Sequence, residues 1–227
     1  KSFGVATAVL LATYEKGGNV LYSRYTMTSA STSIIPEMQE KIELLGLDGQ
    51  FTVNSREIIN NTTGNTIYFR GLKTGSGNQT AALKSLNNIA TFVLDEAEEC
   101  PDEALFDKID LSVRSQEAKN RVIMVMNPAT KAHWIYERFY ERRGLQGGEN
   151  TTIEDSTYIH TTYKDNIDNL PDSFLSAMDK MKASRPEEYA HVVEGGWRAV
   201  AEGVIFTNWK IDTFTSNGDY HGYGVDY

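Results

Sequence analysis

Cysteine is nearly absent from this 227-residue chain, in which Cys100 is the only one. A single cysteine excludes an intrachain disulfide and favours a reducing compartment. It also excludes a cysteine-rich zinc site, and the four histidines do not cluster along the sequence. No apolar run approaches the ~20 residues that span a bilayer, so no membrane partner is expected. Residues 1–14 lack the basic start and the cleavage site of a secretory signal.

Positive charge is also scarce, with 22 lysines and arginines against 31 acids and a net charge of −9. This balance argues against a protein that simply coats nucleic acid. The charge is uneven, because residues 95–110 hold eight acids and one lysine, whereas residues 111–148 hold seven basic and three acidic residues. The global charge therefore does not exclude a DNA partner.

The most informative stretch is residues 91–99, which read T-F-V-L-D-E-A-E-E. The apolar run predicts a strand buried on both faces of a parallel sheet, and its carboxyl end is where such sheets bind ligands. In a nucleotide hydrolase, Asp95 would hold Mg²⁺, and Glu96 would orient or deprotonate the attacking water. Adjacent acids in a strand point in opposite directions, which fits two different tasks. The alternative is an acidic N-terminus of the following helix.

Two further stretches carry polar residues that would suit the same nucleotide-binding site. Residues 1–14 predict a buried helix that begins with Lys1 and Ser2, the residue pair that ends a phosphate-binding P-loop. Residues 121–126 predict a second apolar strand, and it ends at Asn127, where the amide could sense a γ-phosphate. The alternatives are an ordinary helix cap at Ser2 and an Asn-Pro turn at Asn127.

The remaining periodicity predicts an α/β fold with a mainly parallel sheet flanked by helices. The other predicted strands are residues 19–23, 157–162 and a hairpin of 51–61 with 65–71. The other predicted helices are residues 29–45, 101–114, 132–140, 171–182 and 186–193, with a surface loop at 73–80 and a linker or loop at 144–156.

Several of these stretches resemble one family in both sequence and order. The runs concerned are F-R-G-L at 69–72, F-V-L-D-E-A-E-E at 92–99, N-P-A-T-K-A-H-W-I-Y-E-R-F-Y at 127–140, H-T-T-Y-K-D-N at 160–166, E-G-G-W at 194–197 and G-V-I-F-T-N-W at 203–209. Together they resemble the large terminase subunit of tailed double-stranded DNA bacteriophages, a packaging ATPase and nuclease. The resemblance covers nearly the whole chain, and residues 127–140 and 160–166 are its most specific parts.

The resemblance implies a P-loop ATPase of the ASCE type with a small α/β linker subdomain. It divides the chain into a motor domain at 1–155, the linker subdomain at 156–213 and the start of an RNase H-like nuclease at 214–227. In the motor it implies that Lys1 and Ser2 end the Walker A loop, with Ser2 also a metal ligand. Asp95 and Glu96 become the Walker B pair, and Asn127 belongs to the motif that couples hydrolysis to movement. In the nuclease, it implies that Asp226 is a catalytic, metal-binding carboxylate.

The resemblance also implies cofactors and partners. The cofactors are ATP with Mg²⁺ for the motor and Mg²⁺ or Mn²⁺ for the nuclease. The partners are double-stranded DNA, the portal protein of the procapsid, the small terminase subunit and further copies of the chain in a ring, in the cytoplasm of the host bacterium. An arginine from a neighbouring copy often completes such sites. The candidates for that arginine or its equivalent are Arg24, Arg70, Lys84 and Arg114.

Two departures from the family pattern bear on activity. The glycine-rich part of Walker A would precede Lys1, and the other nuclease carboxylates would follow Tyr227, so this stretch alone is expected to be inactive. Two other functions remain open: another P-loop nucleic-acid motor of the helicase type, and a non-catalytic module that docks on a capsid.

Overall fold

The computed structural model describes residues 1–27, 33–73, 86 and 88–199. Some predictions therefore lie outside the described residues, namely most of the 73–80 loop, Lys84, and everything after residue 199, including Asp226. None of the described helices is both long and apolar enough to cross a bilayer.

The described residues form a six-stranded sheet in the order β2-β3-β4-β1-β5-β6. Its strands are β1 (Asn19–Arg24), β2 (Phe51–Val53), β3 (Glu57–Asn60), β4 (Thr66–Gly71), β5 (Ile89–Asp95) and β6 (Arg121–Val125). The strands β4, β1, β5 and β6 are parallel, whereas β3 is antiparallel to both of its neighbours. The predicted mainly parallel sheet is confirmed, and parallel pairing brings four carboxyl ends to one edge.

Strand β5 lies at the centre of the core, and all seven of its residues are buried. Because successive side chains alternate between faces, Phe92 and Leu94 pack into one hydrophobic cluster and Val93 into the other. Helices cover both faces, as a parallel sheet requires. The predicted two-sided burial of this strand is confirmed.

The described residues form six α-helices, four within the part of the chain that packs on the sheet and two that follow it in sequence. They are α1 (Ser2–Ala12), α2 (Ile34–Leu44), α3 (Glu103–Asp110), α4 (Trp134–Phe139), α5 (Asp172–Ser184) and α6 (Pro186–Glu188). Residues of α1 and α2 belong to the cluster that contains Val93, and residues of α3 and α4 to the cluster that contains Phe92. Helix α1 was predicted to be buried, yet Phe3 and Leu11 on its outer face are 53% and 56% exposed.

Several predicted elements have different bounds in the structure. The predicted strand 157–162 ends at Tyr158, the predicted helix 132–140 is limited to Trp134–Phe139, and the α-helix predicted at 186–193 ends at Glu188. The predicted strand 51–61 is divided into β2 and β3, because the chain turns at 54–56. The stretch 144–156, predicted as a linker or loop, contains strand β7 (Thr151–Ile153), which pairs with β8 (Ser156–Tyr158). Helix α3 begins later than predicted. Asp102 is its N-cap, and the Asp102 side chain accepts a hydrogen bond from the Ala104 backbone N–H.

The last described residues contact the segment that follows β6. The Lys131 backbone N–H donates to Arg198 O at 2.8 Å, and the Arg198 N–H donates to Ala129 O at 3.1 Å. Next to this bridge, the Trp197 ring lies 5.1 Å from the Tyr136 ring of α4. These contacts connect residues 197 and 198 to the segment that begins at the carboxyl end of β6.

Candidate active site

Helix α1 begins at the carboxyl end of β6. The Lys1 side chain donates from Nζ to Met126 O at 2.8 Å and to Asn127 Oδ1 at 3.1 Å. Burial lowers the pKa of the Lys1 ammonium, and the charge of Glu98 opposes that shift. The predicted position of the Lys-Ser pair at a helix start is confirmed beside the end of β6. Ser2, the exposed first residue of α1, lies at the same helix start.

Asp95 ends β5 and is held by Arg24 of the neighbouring strand β1. Arg24 donates from Nε to Asp95 Oδ2 at 2.8 Å, and its Nη2 lies 2.7 Å from the same oxygen. Burial, together with the nearby charge of Asp95, raises the pKa of the Tyr22 phenol. Tyr22 and Arg24 are two residues apart and therefore share a face of the strand. Asp95 is only 5% exposed, so the Arg24 guanidinium compensates for its lost hydration.

Glu96 lies just past the end of β5 in a left-handed backbone conformation, with φ 51° and ψ 48°. Such a conformation costs about 1–3 kcal/mol for a residue other than glycine and is concentrated at functional sites. Its Oε1 lies 3.4 Å from Nη1 of Arg24, so one guanidinium contacts both acids. The expectation that the two carboxylates point in opposite directions is wrong, because Glu96 is outside the regular strand.

Glu98 is a site residue that the sequence did not reveal. Burial raises the pKa of its carboxyl, and the amide groups of Asn127 act in the opposite direction. Its Oε2 atom is buried without a hydrogen-bond partner among the described residues. In the sequence, Glu98 looks like an ordinary surface acid, because it lies in the short turn Ala97–Glu99. Only the fold brings it near Lys1 and Asn127.

The arginine candidates lie in different places. Arg24 contacts the acids of its own chain, whereas Arg70 donates from Nη1 to the carbonyls of Arg56 and Phe69. The Arg114 backbone N–H donates to Ile89 O, so Arg114 lies at the amino end of β5, away from Asp95. Lys84 lies outside the described residues.

The residues at this edge fit Mg²⁺ bound together with a nucleotide. Asp95 and Ser2 offer a carboxylate and a hydroxyl, the hard oxygen donors that Mg²⁺ prefers. Within the described ranges, no three His, Cys, Asp or Glu side chains cluster closely enough to hold a metal by themselves. That agrees with the usual protein Mg²⁺ site, in which one or two side chains add to substrate phosphates and water.

The fold matches solved large terminases. It is similar to the large terminase of a thermophilic bacteriophage, with a TM-score of 0.61 and 17% identity over 87% of this chain and 44% of that one. The same terminase in complex with ADP gives a TM-score of 0.59 at 17% identity, with the same coverage. The large terminase ATPase domain of Thermus phage P74-26 gives 0.56 at 18% identity, over 86% of this chain and 83% of that one. The fold is therefore that of the large terminase ATPase domain.

Sequence comparison gives the family. The sequence model of the phage terminase large subunit family matches residues 1–196, and the chain belongs to that family. It is 28% identical over 200 residues to the PBSX phage terminase large subunit of Bacillus subtilis (strain 168). That match covers 83% of the chain and 45% of the relative, so the chain spans about half the length of the curated relative that it matches.

A pH-dependent stability measurement tests the environment of Glu98. A folded-state pKa above the unfolded value means that stability from this group is present at low pH and is lost as the pH rises through the folded pKa. Ionised Glu98 therefore lowers stability at neutral pH. We expect Glu98→Gln to raise the unfolding temperature at pH 7–8, and the gain should shrink as the pH falls towards 4.5, the ordinary value for this residue.

The matched control is Glu99→Gln, because Glu99 is the neighbouring exposed acid. It should leave the unfolding temperature nearly unchanged at both pH values. A lower unfolding temperature for Glu98→Gln at pH 8 would instead show that the Glu98 charge stabilises the fold, with an attraction to Lys1 that outweighs the cost of burial.

Proposed function

We propose that this chain contains the ATP-hydrolysing motor of a terminase large subunit, which moves double-stranded DNA into a procapsid. One observation supports this most: Lys1, at the start of α1, binds the carboxyl end of β6, at the sheet edge where β5 ends at Asp95 and Glu96 follows. An ammonium, a helix start and two acids at one edge of a parallel sheet suit a phosphate-transfer site.

Each residue has a separate task in this proposal. Lys1 would bind the β- and γ-phosphates, and the N–H groups at the start of α1 would add a positive dipole end. Asp95 and Ser2 would hold Mg²⁺, which neutralises phosphate charge when bound. Glu96 would orient the attacking water or accept its proton, and Asn127 would sense the γ-phosphate through its side-chain amide.

The contacts of the segment after Asn127 suggest how hydrolysis is coupled to movement. Residues 129–131 are hydrogen-bonded to Arg198, and a Cβ added at Gly195 would lie 3.1 Å from His160 Cε1 and 3.9 Å from Pro128 Cδ. A shift of Asn127 would therefore reach the proposed linker subdomain, residues 156–213, through direct contacts. In this division the motor domain is residues 1–155.

The partners in this proposal follow from the family. The motor would act in the host cytoplasm as a ring of copies docked on the portal protein, with the small terminase subunit delivering DNA. It would contact DNA mainly through phosphates, so binding should weaken with salt and be independent of sequence. In such a ring, Lys84 or Arg114 would serve a neighbouring copy more readily than Arg24 or Arg70, since Arg24 is paired with Asp95 and Arg70 donates to carbonyls of its own chain.

Glu96→Gln in the full-length protein tests the motor. The amide keeps the shape but cannot accept a proton, so we expect kcat for ATP hydrolysis to fall at least about 100-fold while ATP binding persists. Phosphate release and nucleotide binding are the measurements, and Glu99→Gln is the control that should keep wild-type turnover. Hydrolysis by Glu96→Gln at the wild-type rate would remove Glu96 from the catalytic role.

We also propose that residues 214–227 begin an RNase H-like nuclease, with Asp226 as one of its Mg²⁺ or Mn²⁺ ligands. A two-metal nuclease needs several carboxylates around ions about 4 Å apart, so loss of one should disable it. In the full-length protein, Asp226→Ala should abolish plasmid nicking and preserve ATP hydrolysis, with Asp219→Ala as the control. Undiminished nicking by Asp226→Ala would exclude Asp226 from the nuclease site.

A further inference from the structure

A single guanidinium lies between the two acids of the proposed motor site. Parallel pairing of Ser23 with Leu94 places Arg24 beside Asp95. Two nitrogens of Arg24 lie 2.8 and 2.7 Å from Asp95 Oδ2, and a third lies 3.4 Å from Glu96 Oε1. The guanidinium thus forms a strong contact with the first acid and a longer contact with the second.

Because Asp95 is buried and Arg24 is partly buried, breaking their ion pair would be energetically costly. The side chains of Arg24 and Asp95 are 18% and 7% exposed, whereas Glu96 is 42% exposed. A buried carboxylate without a counter-charge is strongly unfavourable. Burial lowers the pKa of Arg24, but its hydrogen bond to Asp95 and the charges of both acids outweigh that effect and raise it. Arg24 therefore stays charged and supplies the counter-charge that Asp95 needs.

The same carboxylate would serve a divalent cation once nucleotide is bound. Two cations on one buried carboxylate repel each other, and the repulsion is only partly screened away from bulk water. A carboxylate paired with a cation also has a lower affinity for a proton from water. Arg24 would therefore oppose metal binding at Asp95 and restrain Glu96.

We propose that Arg24 is a resident counter-ion that occupies Asp95 and Glu96 before nucleotide binds and must withdraw for the site to become active. This inference rests on the proposed function. It makes Arg24 a positioning residue that acts within its own chain and couples the release of Glu96 to the arrival of Mg²⁺ with nucleotide. Hydrolysis is thereby restrained until the site is filled.

Arg70 offers a matched control for Arg24. It lies near the end of the neighbouring strand β4, directly opposite Ser23, but its Nη1 donates to the carbonyls of Arg56 and Phe69. Replacing it removes the same charge near the same sheet edge without removing the counter-ion of Asp95. A difference between Arg24→Gln and Arg70→Gln therefore reports on the contact with the acids and not on net charge.

The test is a titration of the full-length protein with Mg²⁺ at a fixed, saturating ADP concentration, monitored by the unfolding temperature. The quantity compared is the midpoint, the Mg²⁺ concentration that gives half of the maximal rise in unfolding temperature. In Arg24→Gln this midpoint should fall about tenfold, because the competing charge is gone. The unfolding temperature without metal should also fall, because Asp95 loses its partner. In Arg70→Gln both values should stay near wild type. An unchanged or raised midpoint in Arg24→Gln would overturn the proposal.

A second variant applies if Arg24→Gln does not fold. Arg24→Lys keeps one charge, but a compact ammonium cannot bridge both acids, so the midpoint should fall about threefold. A midpoint equal to that of wild type would overturn the proposal. If Mg²⁺ with ADP stabilises no form of the protein, including wild type, the proposed nucleotide site itself is wrong. If it stabilises wild type and both Arg24 variants at one midpoint, only the role of Arg24 is wrong.

Discussion

A buried carboxylate at the end of a strand needs a cation, and Asp95 imposes this requirement on the sheet edge. Its 5% exposure leaves little hydration, and Arg24 of β1 replaces that hydration with two charged contacts. The arrangement depends on parallel pairing, because β1 and β5 must end together for Arg24 to lie beside Asp95. The site and the sheet therefore depend on each other, since strand register determines which charges meet.

The same sheet edge carries a second cation, Lys1, that is separate from the Arg24 ion pair. Lys1 binds the end of β6 through Met126 O and Asn127 Oδ1, and its charge interacts with Glu98. Two cations, Arg24 and Lys1, thus accompany the acids of β5 and the turn that follows. In the proposed function, Lys1 would bind phosphate and Arg24 would leave its acids when nucleotide binds, so the contacts of both cations would change together.

Much of this site could be predicted from the sequence, because apolar runs that end in polar residues identify strand ends. Residues 91–95 predicted β5 and its acids, and the Lys-Ser start predicted the position of α1. The partners of those acids could not be predicted, since Arg24 and Tyr22 meet Asp95 only through the register of a strand 71 residues earlier. Glu98 could not be predicted for the same reason. The division of strand 51–61 depended on a turn without glycine or proline.

The central claim is that this sheet edge binds nucleotide phosphates through Lys1. Calorimetric titration of the full-length protein with ADP and Mg²⁺ tests it most directly, using Lys1→Ala beside Lys16→Ala. Lys16 is a suitable control because it is an exposed lysine, paired with Glu117, that precedes the amino end of β1. We expect ADP affinity to fall at least about tenfold in Lys1→Ala, since a lost charged contact to phosphate is worth about 1.4 kcal/mol or more. We expect no change in Lys16→Ala, and equal affinities for the two variants and wild type would contradict the claim.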